Sequence, residues 1–311
     1  MKKMLKNNMF LVISILILLI WAIFGAIECS NTIDFLISTY EENYIRCQDE
    51  EFLSVTDQRV EFCKPFISET IQKPSAGFAF FYILITTNVF YLQIIAPLFI
   101  IIPASYRFFK RYKSGMYKNM LMREKYSTFL KKELLHAYKT LIIFPIFLIF
   151  IFIISYLLTG NFDGDFTVKN YYYMFLPMER IYIIYFLPFL LLYFWNMIVN
   201  SAFYVHLSLI YAKKTSNFAI SVVLSYITYL LIDIVAEGWI GRFFFKTGIF
   251  DGPTALRVVT LCNYWSYDAI TTVPSLVFLC AFYLLLTIIS FIILRKMFSK
   301  KESVVLESEK Q

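Results

Sequence analysis

Residues 107–139 read RFFKRYKSGMYKNMLMREKYSTFLKKELLHAYK, and they separate two strongly apolar stretches of the chain. The segment contains ten lysines and arginines against two glutamates, a net charge of +8. The apolar stretches end at Pro103 and resume at Leu141. Because basic loops between membrane spans stay on the cytoplasmic side, this segment is predicted to be cytoplasmic and to orient the whole chain.

The composition is that of a membrane protein. Of 311 residues, 59% are hydrophobic and only 16% are charged, whereas about a quarter of a soluble domain is charged. Several apolar runs are long enough to cross a bilayer as helices, which takes about 20 residues. The net charge of +7 lies beside these runs, which favours contact with anionic lipid headgroups and not with nucleic acid.

We predict an all-α integral membrane protein with six transmembrane helices in one domain covering residues 1–311. The start of the chain resembles a signal peptide, but no A-x-A type cleavage site follows the first apolar run, so this run is predicted to be a retained helix. A short charged tail, residues 302–311, is predicted to be disordered. The six spans cover about residues 9–27, 78–102, 141–158, 181–210, 218–236 and 275–294.

Charge places both termini in the cytoplasm. The loop 28–77 contains ten acidic and four basic residues, a net charge of −6, and is predicted to lie outside the cell. The other short segments on the predicted cytoplasmic side are all basic, as expected for that side. They carry Lys2, Lys3 and Lys6 at the start, Lys213 and Lys214 between spans four and five, and Arg295 onward at the end.

The outer loop 28–77 is predicted to form a small subdomain. Within it, residues 32–44 have apolar side chains at helical spacing, which predicts a helix lying on the membrane or on the bundle. Three cysteines lie in this loop and a fourth in the last outer loop, where disulfides are permitted. Four cysteines allow three pairings; Cys47 with Cys63 is the most local, and buried free thiols are the alternative. The four are Cys29, Cys47, Cys63 and Cys262.

The segment 237–274 is apolar but interrupted by glycines and charges. It is predicted to be a re-entrant or interfacial segment between spans five and six. Asp233 and Glu237 could pair with Arg242, and these three residues are a candidate outer gate. The alternative is a loop lying on the surface.

No catalytic or metal-binding motif is present. The sequence has no G-x-x-x-x-G-K-[ST], H-E-x-x-H or G-x-S-x-G pattern, and its two histidines lie in separate segments. We therefore predict no catalytic residues, no metal site and no cofactor bound by this chain. His206, inside span four, is interpreted as a hydrogen-bonded interior residue and not as a proton relay. The pattern E-E-x-x-x-R at residues 41–46 resembles that of intramembrane proteases, but no suitable histidines follow it.

Six spans, no motor motif and a basic loop between spans two and three resemble the ABC-2 type permeases, the membrane-spanning subunits of ABC exporters. The resemblance covers the chain in topology, and in local sequence it is best at KSGMYKNML (113–121) and at 125–130. It implies a coupling helix between spans two and three that contacts a separate ATPase. Ser114 can cap such a helix. The implied ATPase contact consists of Ser114, Gly115, Met116, Tyr117, Lys118, Asn119, Met120, Leu121, Arg123 and Lys125.

The resemblance implies a permease in the bacterial plasma membrane that exports an amphiphilic substrate such as a peptide, lipid or drug-like molecule. Its implied partners are an ABC ATPase dimer, which would bind ATP and Mg, a second permease (identical or related) and membrane lipids. Export or self-immunity against antimicrobial peptides is the commonest assignment in such families. The basic loop could instead bind only anionic headgroups. Two other classes stay open: a sensor or immunity protein that binds a peptide through its outer cysteine loop, and a lipid-modifying enzyme.

Overall fold

The computed structural model describes residues 8–48, 59, 63, 75–85, 89–113, 126–160, 186–215, 217–235 and 273–299. Regular structure in these residues is helical and includes no strand, which confirms the predicted helical class for this part of the chain. The helices are α1 (Met9–Cys47), α2 (Ala76–Ile85), α3 (Val89–Lys113), α4 (Tyr126–Ala137), a 3₁₀ turn (Tyr138–Ile142), α5 (Ile143–Thr159), α6 (Phe186–Lys214), α7 (Phe218–Val235) and α8 (Val273–Ser299).

Three helical stretches among the described residues are long and apolar enough to cross a membrane. They are Met9–Cys47, Thr128–Thr159 and Ala281–Phe298, and Phe218–Ile232 is a shorter apolar helix. Many large apolar side chains on these helices are exposed, among them Phe24, Leu157 and Leu231. A surface this apolar is suited to lipid, because a soluble monomer rarely exposes such extended apolar area. The chain is therefore a helical membrane protein by length and composition of its helices.

The first helix differs from the prediction. We expected a span ending near Ile27 and a separate helix within residues 32–44, but α1 is a single helix of 39 residues. After Gly25 the sequence has no glycine or proline up to Cys47, so nothing interrupts the backbone hydrogen bonds. An exposed ion pair between Arg46 and Glu42, at 2.6 Å, supports the last turn. At 1.5 Å per residue, α1 is about 58 Å long.

Two predicted spans have internal structure. The second corresponds to α2 and α3, with residues 86–88 between them outside the described part. Pro97 and Pro103 lie inside α3. The third begins earlier than expected, because α4 and the 3₁₀ turn lead directly into α5.

The chain divides into two compact units. The first contains Met1–Leu18, Thr87–Phe147 and Leu190–Gln311, and the second contains Leu19–Thr86 and Leu148–Phe189.

In the first unit, α7 packs along α3. Aromatic rings join the C-terminal part of α3 to the start of α7: Phe218 contacts both Tyr106 and Phe109, with ring centroids 6.0 Å apart in each pair. Tyr204 of α6 and Tyr229 of α7 meet edge to face with their ring centroids 5.2 Å apart. Such ring pairs add to the stabilisation from burial alone.

In the second unit, α1 approaches α2 closely at Gly25. A Cβ atom at this position would lie 3.1 Å from Cγ2 of Ile83, so the absence of a side chain permits the contact. The hydroxyls of Thr32 and Tyr82 hydrogen bond at 2.7 Å further along the same pair of helices. Phe80 of α2 contacts Phe152 of α5 edge to face.

Candidate functional site

The predicted ATPase contact, residues 114–125, lies outside the described residues, and its ends are defined by two described helices. Helix α3 ends at Lys113 and α4 begins at Tyr126. The segment therefore connects the end of one helix to the start of the next. What the structure describes is how these two helices are held together.

Arg107 joins three segments of the first unit. Its Nη1 donates a hydrogen bond to the backbone carbonyl oxygen of His136 at 2.6 Å, and its Nη2 donates to Oδ1 of Asn8. The guanidinium suits this role because its donors point in fixed directions. Burial lowers the pKa of Arg107, with a further lowering by Arg111 and an opposing effect of Glu133. A guanidinium nevertheless remains charged in proteins, so this contact persists at any physiological pH.

A second contact lies one turn further along α3. Arg111 Nη1 pairs with Oε1 of Glu133 at 2.5 Å, and the Glu133 side chain is only 5% exposed while that of Arg111 is 26% exposed. A buried carboxylate needs a cation, because desolvation without compensation is strongly unfavourable. Together the two arginines clamp α3 to α4 on both sides of the 114–125 segment. We call these two contacts the arginine clamp.

A buried hydrogen-bond chain begins immediately after α4. The Tyr138 hydroxyl lies 2.6 Å from Nε2 of His206, and Nδ1 of His206 lies 2.8 Å from Oγ of Ser290. Ser290 donates its single proton to the carbonyl oxygen of Thr287 at 2.9 Å. It therefore accepts from His206 Nδ1–H, and in the neutral imidazole Nε2 then accepts from Tyr138.

This series of hydrogen bonds links the 3₁₀ turn to α6 and α8. His206 is 1% exposed and both ring nitrogens are satisfied, which confirms the interpretation of a hydrogen-bonded interior histidine. The threonine hydroxyl of Thr287 adds a bond to the carbonyl oxygen of Val199 at 3.1 Å. Sequence reasoning missed the partners, because Tyr138 and Ser290 are 68 and 84 residues from His206.

Lys213, predicted only as an orienting charge, also contacts other elements. Its Nζ donates to the carbonyl oxygen of Met297 near the end of α8 and lies 4.7 Å from the ring centroid of Phe298. The ring of Phe298 in turn contacts Phe108 of α3 at 6.2 Å. A lysine near the C-terminal end of a helix is well placed to satisfy its last carbonyls.

One buried amide in α6 is uncompensated. Asn200 is fully buried, and neither Oδ1 nor Nδ2 has a hydrogen-bond partner among the described residues. Buried polar groups nearly always have hydrogen-bond partners. Packing within the described residues therefore does not explain why an amide side chain occupies this buried position. It was not singled out from the sequence, where an asparagine in an apolar run is equally consistent with an exposed or a paired side chain.

Two of the four cysteines predicted to lie outside the cell are paired. Cys47 and Cys63 form a disulfide with their Cα atoms 5.5 Å apart, while Cys29 is a buried free thiol. The structure thus selects the most local of the pairings considered. Cys262 lies outside the described residues.

The candidate outer gate is largely outside the described part. Asp233 belongs to the last turn of α7, its side chain is not described, and Glu237 and Arg242 lie beyond the described residues. Residues 237–272 of the predicted re-entrant segment also lie outside the described residues, and Val273 and Pro274 begin α8. Among the described residues no cluster of three or more histidines, cysteines or carboxylates could hold a metal ion.

No family model, curated protein or solved structure matches this chain.

Proposed function

We propose that this chain is the membrane-spanning permease subunit of an ATP-driven exporter of the ABC-2 type, powered by a separate ATPase. The observation that carries the proposal is the arginine clamp. A connecting segment transmits force only if its ends are held to structured elements. Here both ends of residues 114–125 are joined to each other by Arg107 and by the Arg111–Glu133 pair.

The proposed path of force continues into the helices. A displacement of α4 acts on Tyr138, which follows it directly and is hydrogen bonded to His206 of α6. Through Ser290 the same chain reaches α8. Closure of an ATPase dimer below the membrane would thus tilt α3 and shift α6 and α8 as one coupled set.

The proposed topology has six spans with both termini in the cytoplasm. Helix α1, the pair α2 and α3, and helices α5 to α8 overlap the six predicted spans in order. The disulfide between Cys47 and Cys63 supports an exterior position for the loop 28–77, since disulfides persist in oxidising compartments.

The proposed partners follow from the surface as well as from the resemblance. Lys131, Lys139, Lys214 and Arg295 are exposed and would face the cytoplasmic leaflet, whose anionic lipids attract such charges. The remaining partners are an ABC ATPase dimer, which would hold ATP and Mg, and a second permease of the same or a related sequence. The substrate is proposed to be amphiphilic and to move outward.

The deciding experiment measures ATP hydrolysis by the chain copurified with its genomically adjacent ATPase and reconstituted in lipid. We expect hydrolysis that is lost when Gly115→Pro and Met120→Asp are combined, because these changes break the helix and insert a charge in its apolar contact. The matched control is Gly115→Ala with Met120→Leu, which changes the same two positions but keeps the helix and its apolar contact. Failure of any ATPase to copurify, or equal loss in both variants, contradicts the assignment.

A non-transporting sensor or immunity protein is the second candidate. The observation in its favour is the disulfide-linked outer end of α1, which gives the chain an ordered outer element independent of any motor. A sensor or immunity protein would not copurify with an ATPase in the experiment described above.

A further inference from the structure

Helix α1 is too long for a membrane span alone. The hydrocarbon core of a bilayer is about 30 Å thick, which takes about 20 helical residues. The apolar run of α1 ends near Ile27, and acidic residues recur from Glu28 onward. Residues 28–47 therefore extend about 30 Å beyond the core, and the disulfide of Cys47 anchors the far end.

This extension has one covered side. Ile33, Leu36, Tyr40 and Cys47 are buried, and at 100° per residue they lie on a single side of the helix. The covered side accounts for the apolar spacing that suggested a helix in the sequence.

The opposite side is exposed and carries both apolar and acidic groups. Asp34, Ser38, Glu41 and Ile45 are exposed and follow one another at helical spacing, with Phe35 beside them. Ile45 is 68% and Phe35 is 60% exposed. We call these five residues the stalk face. Its length from residue 34 to residue 45 is about 17 Å, or three turns.

The stalk face carries negative charge from Asp34 and Glu41. Among the described residues no cation forms an ion pair with Asp34 or Glu41, whereas Glu42 beside them is paired with Arg46. The loop 28–77 as a whole has a net charge of −6. Large apolar side chains beside carboxylates that have no ion-pair partner among the described residues, outside the hydrocarbon, match a partner that is both apolar and basic.

We propose that the stalk face docks a cationic amphipathic peptide on the outer side of the membrane. Apolar side chains of the peptide cover Phe35 and Ile45, while its lysines or arginines reach Asp34 and Glu41. A helix lying along a helix places contacts every three or four residues, which matches the spacing of the stalk face. The inference rests on the outward position of loop 28–77 in the proposed function, and it requires no ATPase.

The test uses the full chain in nanodiscs of zwitterionic phosphatidylcholine, with empty discs as background. Two dye-labelled model peptides of about 14 residues, long enough for the three turns, are compared by fluorescence anisotropy. One peptide has leucines on one face of a helix and lysines on the other, with leucines recurring every three or four residues. The second peptide has glutamate in place of each lysine. We expect the lysine peptide to bind at least about tenfold more tightly than the glutamate peptide. Added salt should weaken the binding of the lysine peptide.

Two variants locate the binding. Asp34→Asn with Glu41→Gln removes the charges, and Phe35→Ser with Ile45→Ser removes the apolar groups; each is expected to weaken the lysine peptide about tenfold. The control, Glu302→Gln with Glu307→Gln, removes two charges from the C-terminal tail and should leave binding unchanged. All four substituted stalk positions are exposed, so folding is retained and is checked by the intact Cys47–Cys63 disulfide.

Three outcomes overturn the proposal. They are equal binding of the two peptides, wild-type binding by both stalk variants, and a change from dimer to monomer in the stalk variants with peptide binding unchanged. The last would assign the stalk face to a second copy of this chain. Because nanodiscs expose both sides of the protein and no ATPase is present, failure here leaves the ATPase experiment independent.

Discussion

At the scale of single residues, the arginine clamp depends on the burial of Glu133. Its carboxylate is nearly inaccessible to water and is paired with Arg111. The energy of such a pair is dominated by desolvation, so removing one partner is far more unfavourable than replacing both. This distinguishes the pair from the exposed Arg46–Glu42 pair of α1, which has similar geometry.

We therefore predict that Arg111→Ala lowers the free energy of unfolding by about 3–5 kcal/mol, because it leaves a buried uncompensated carboxylate. Arg46→Ala, the matched control, should change it by less than about 1 kcal/mol, because exposed pairs contribute little. Unfolding in mixed micelles, followed by circular dichroism, measures both. Equal effects of the two substitutions would show that Arg111 does not stabilise the buried carboxylate of Glu133.

The double variant Arg111→Met with Glu133→Leu separates charge from packing. It removes both charges while keeping apolar volume, so its stability should return to near that of the wild type. If the clamp also serves coupling, ATP hydrolysis by the complex falls in this variant although stability is restored.

At the scale of elements, His206 is the point where three of them meet. It joins the 3₁₀ turn through Tyr138 and α8 through Ser290, and it belongs to α6. Each bond alone is modest, since hydrogen bonds between transmembrane helices contribute about 1 kcal/mol or less. Together the two bonds connect the turn that follows α4 to helices α6 and α8 of the first unit. Helix α4 itself follows the predicted ATPase contact directly.

We predict that Tyr138→Phe and His206→Phe are coupled. Each single substitution should lower the free energy of unfolding by about 1 kcal/mol, and the double variant by clearly less than the sum, because both remove the same bond. Tyr211→Phe with His206→Phe is the control cycle, since Tyr211 bonds Thr228 and not His206. Additive effects in the Tyr138 cycle would mean that the hydrogen bond does not contribute.

At the scale of the whole molecule, the distribution of charge predicts the orientation of the chain in the membrane. Loop 28–77 has a net charge of −6 and segment 107–139 a net charge of +8, and basic segments are retained on the cytoplasmic side. Accessibility of introduced cysteines tests this directly. The background carries Cys29→Ala, Cys262→Ala and Cys280→Ala and keeps the Cys47–Cys63 disulfide.

We predict that Glu41→Cys reacts with a membrane-impermeant maleimide in intact cells, whereas Lys214→Cys and Arg295→Cys react only after permeabilisation. All three positions are exposed, so differences in labelling report the side of the membrane. Labelling of residues 41 and 295 from the same side would contradict the even number of spans.

Sequence alone determined the features that depend on local composition. Apolar runs of about 20 residues predict helices because an unpaired backbone is strongly unfavourable in lipid. Three stretches of the described residues, Met9–Cys47, Thr128–Thr159 and Ala281–Phe298, are long and apolar enough to cross a membrane, and they overlap the first, third and sixth predicted spans. The prediction 218–236 lies close to α7 (Phe218–Val235), whereas the helix of the span predicted to end at residue 102 continues to Lys113. The helix of the first span was predicted to end near Ile27 but ends at Cys47, because loss of hydropathy was taken as loss of helix. Helix continuation depends on the absence of glycine and proline, and α1 continues to Cys47.

Only the tertiary structure decided which distant side chains meet. Sequence left the partner of each cysteine open, and the 5.5 Å separation of the Cα atoms of Cys47 and Cys63 in the fold permits the bond between these two. Arg111 with Glu133, and His206 with Tyr138 and Ser290, are pairs whose members lie 22 to 84 residues apart. Such contacts depend on how helices pack and rotate about their axes, and hydropathy carries no information about either. The covered and exposed sides of α1 became distinguishable for the same reason.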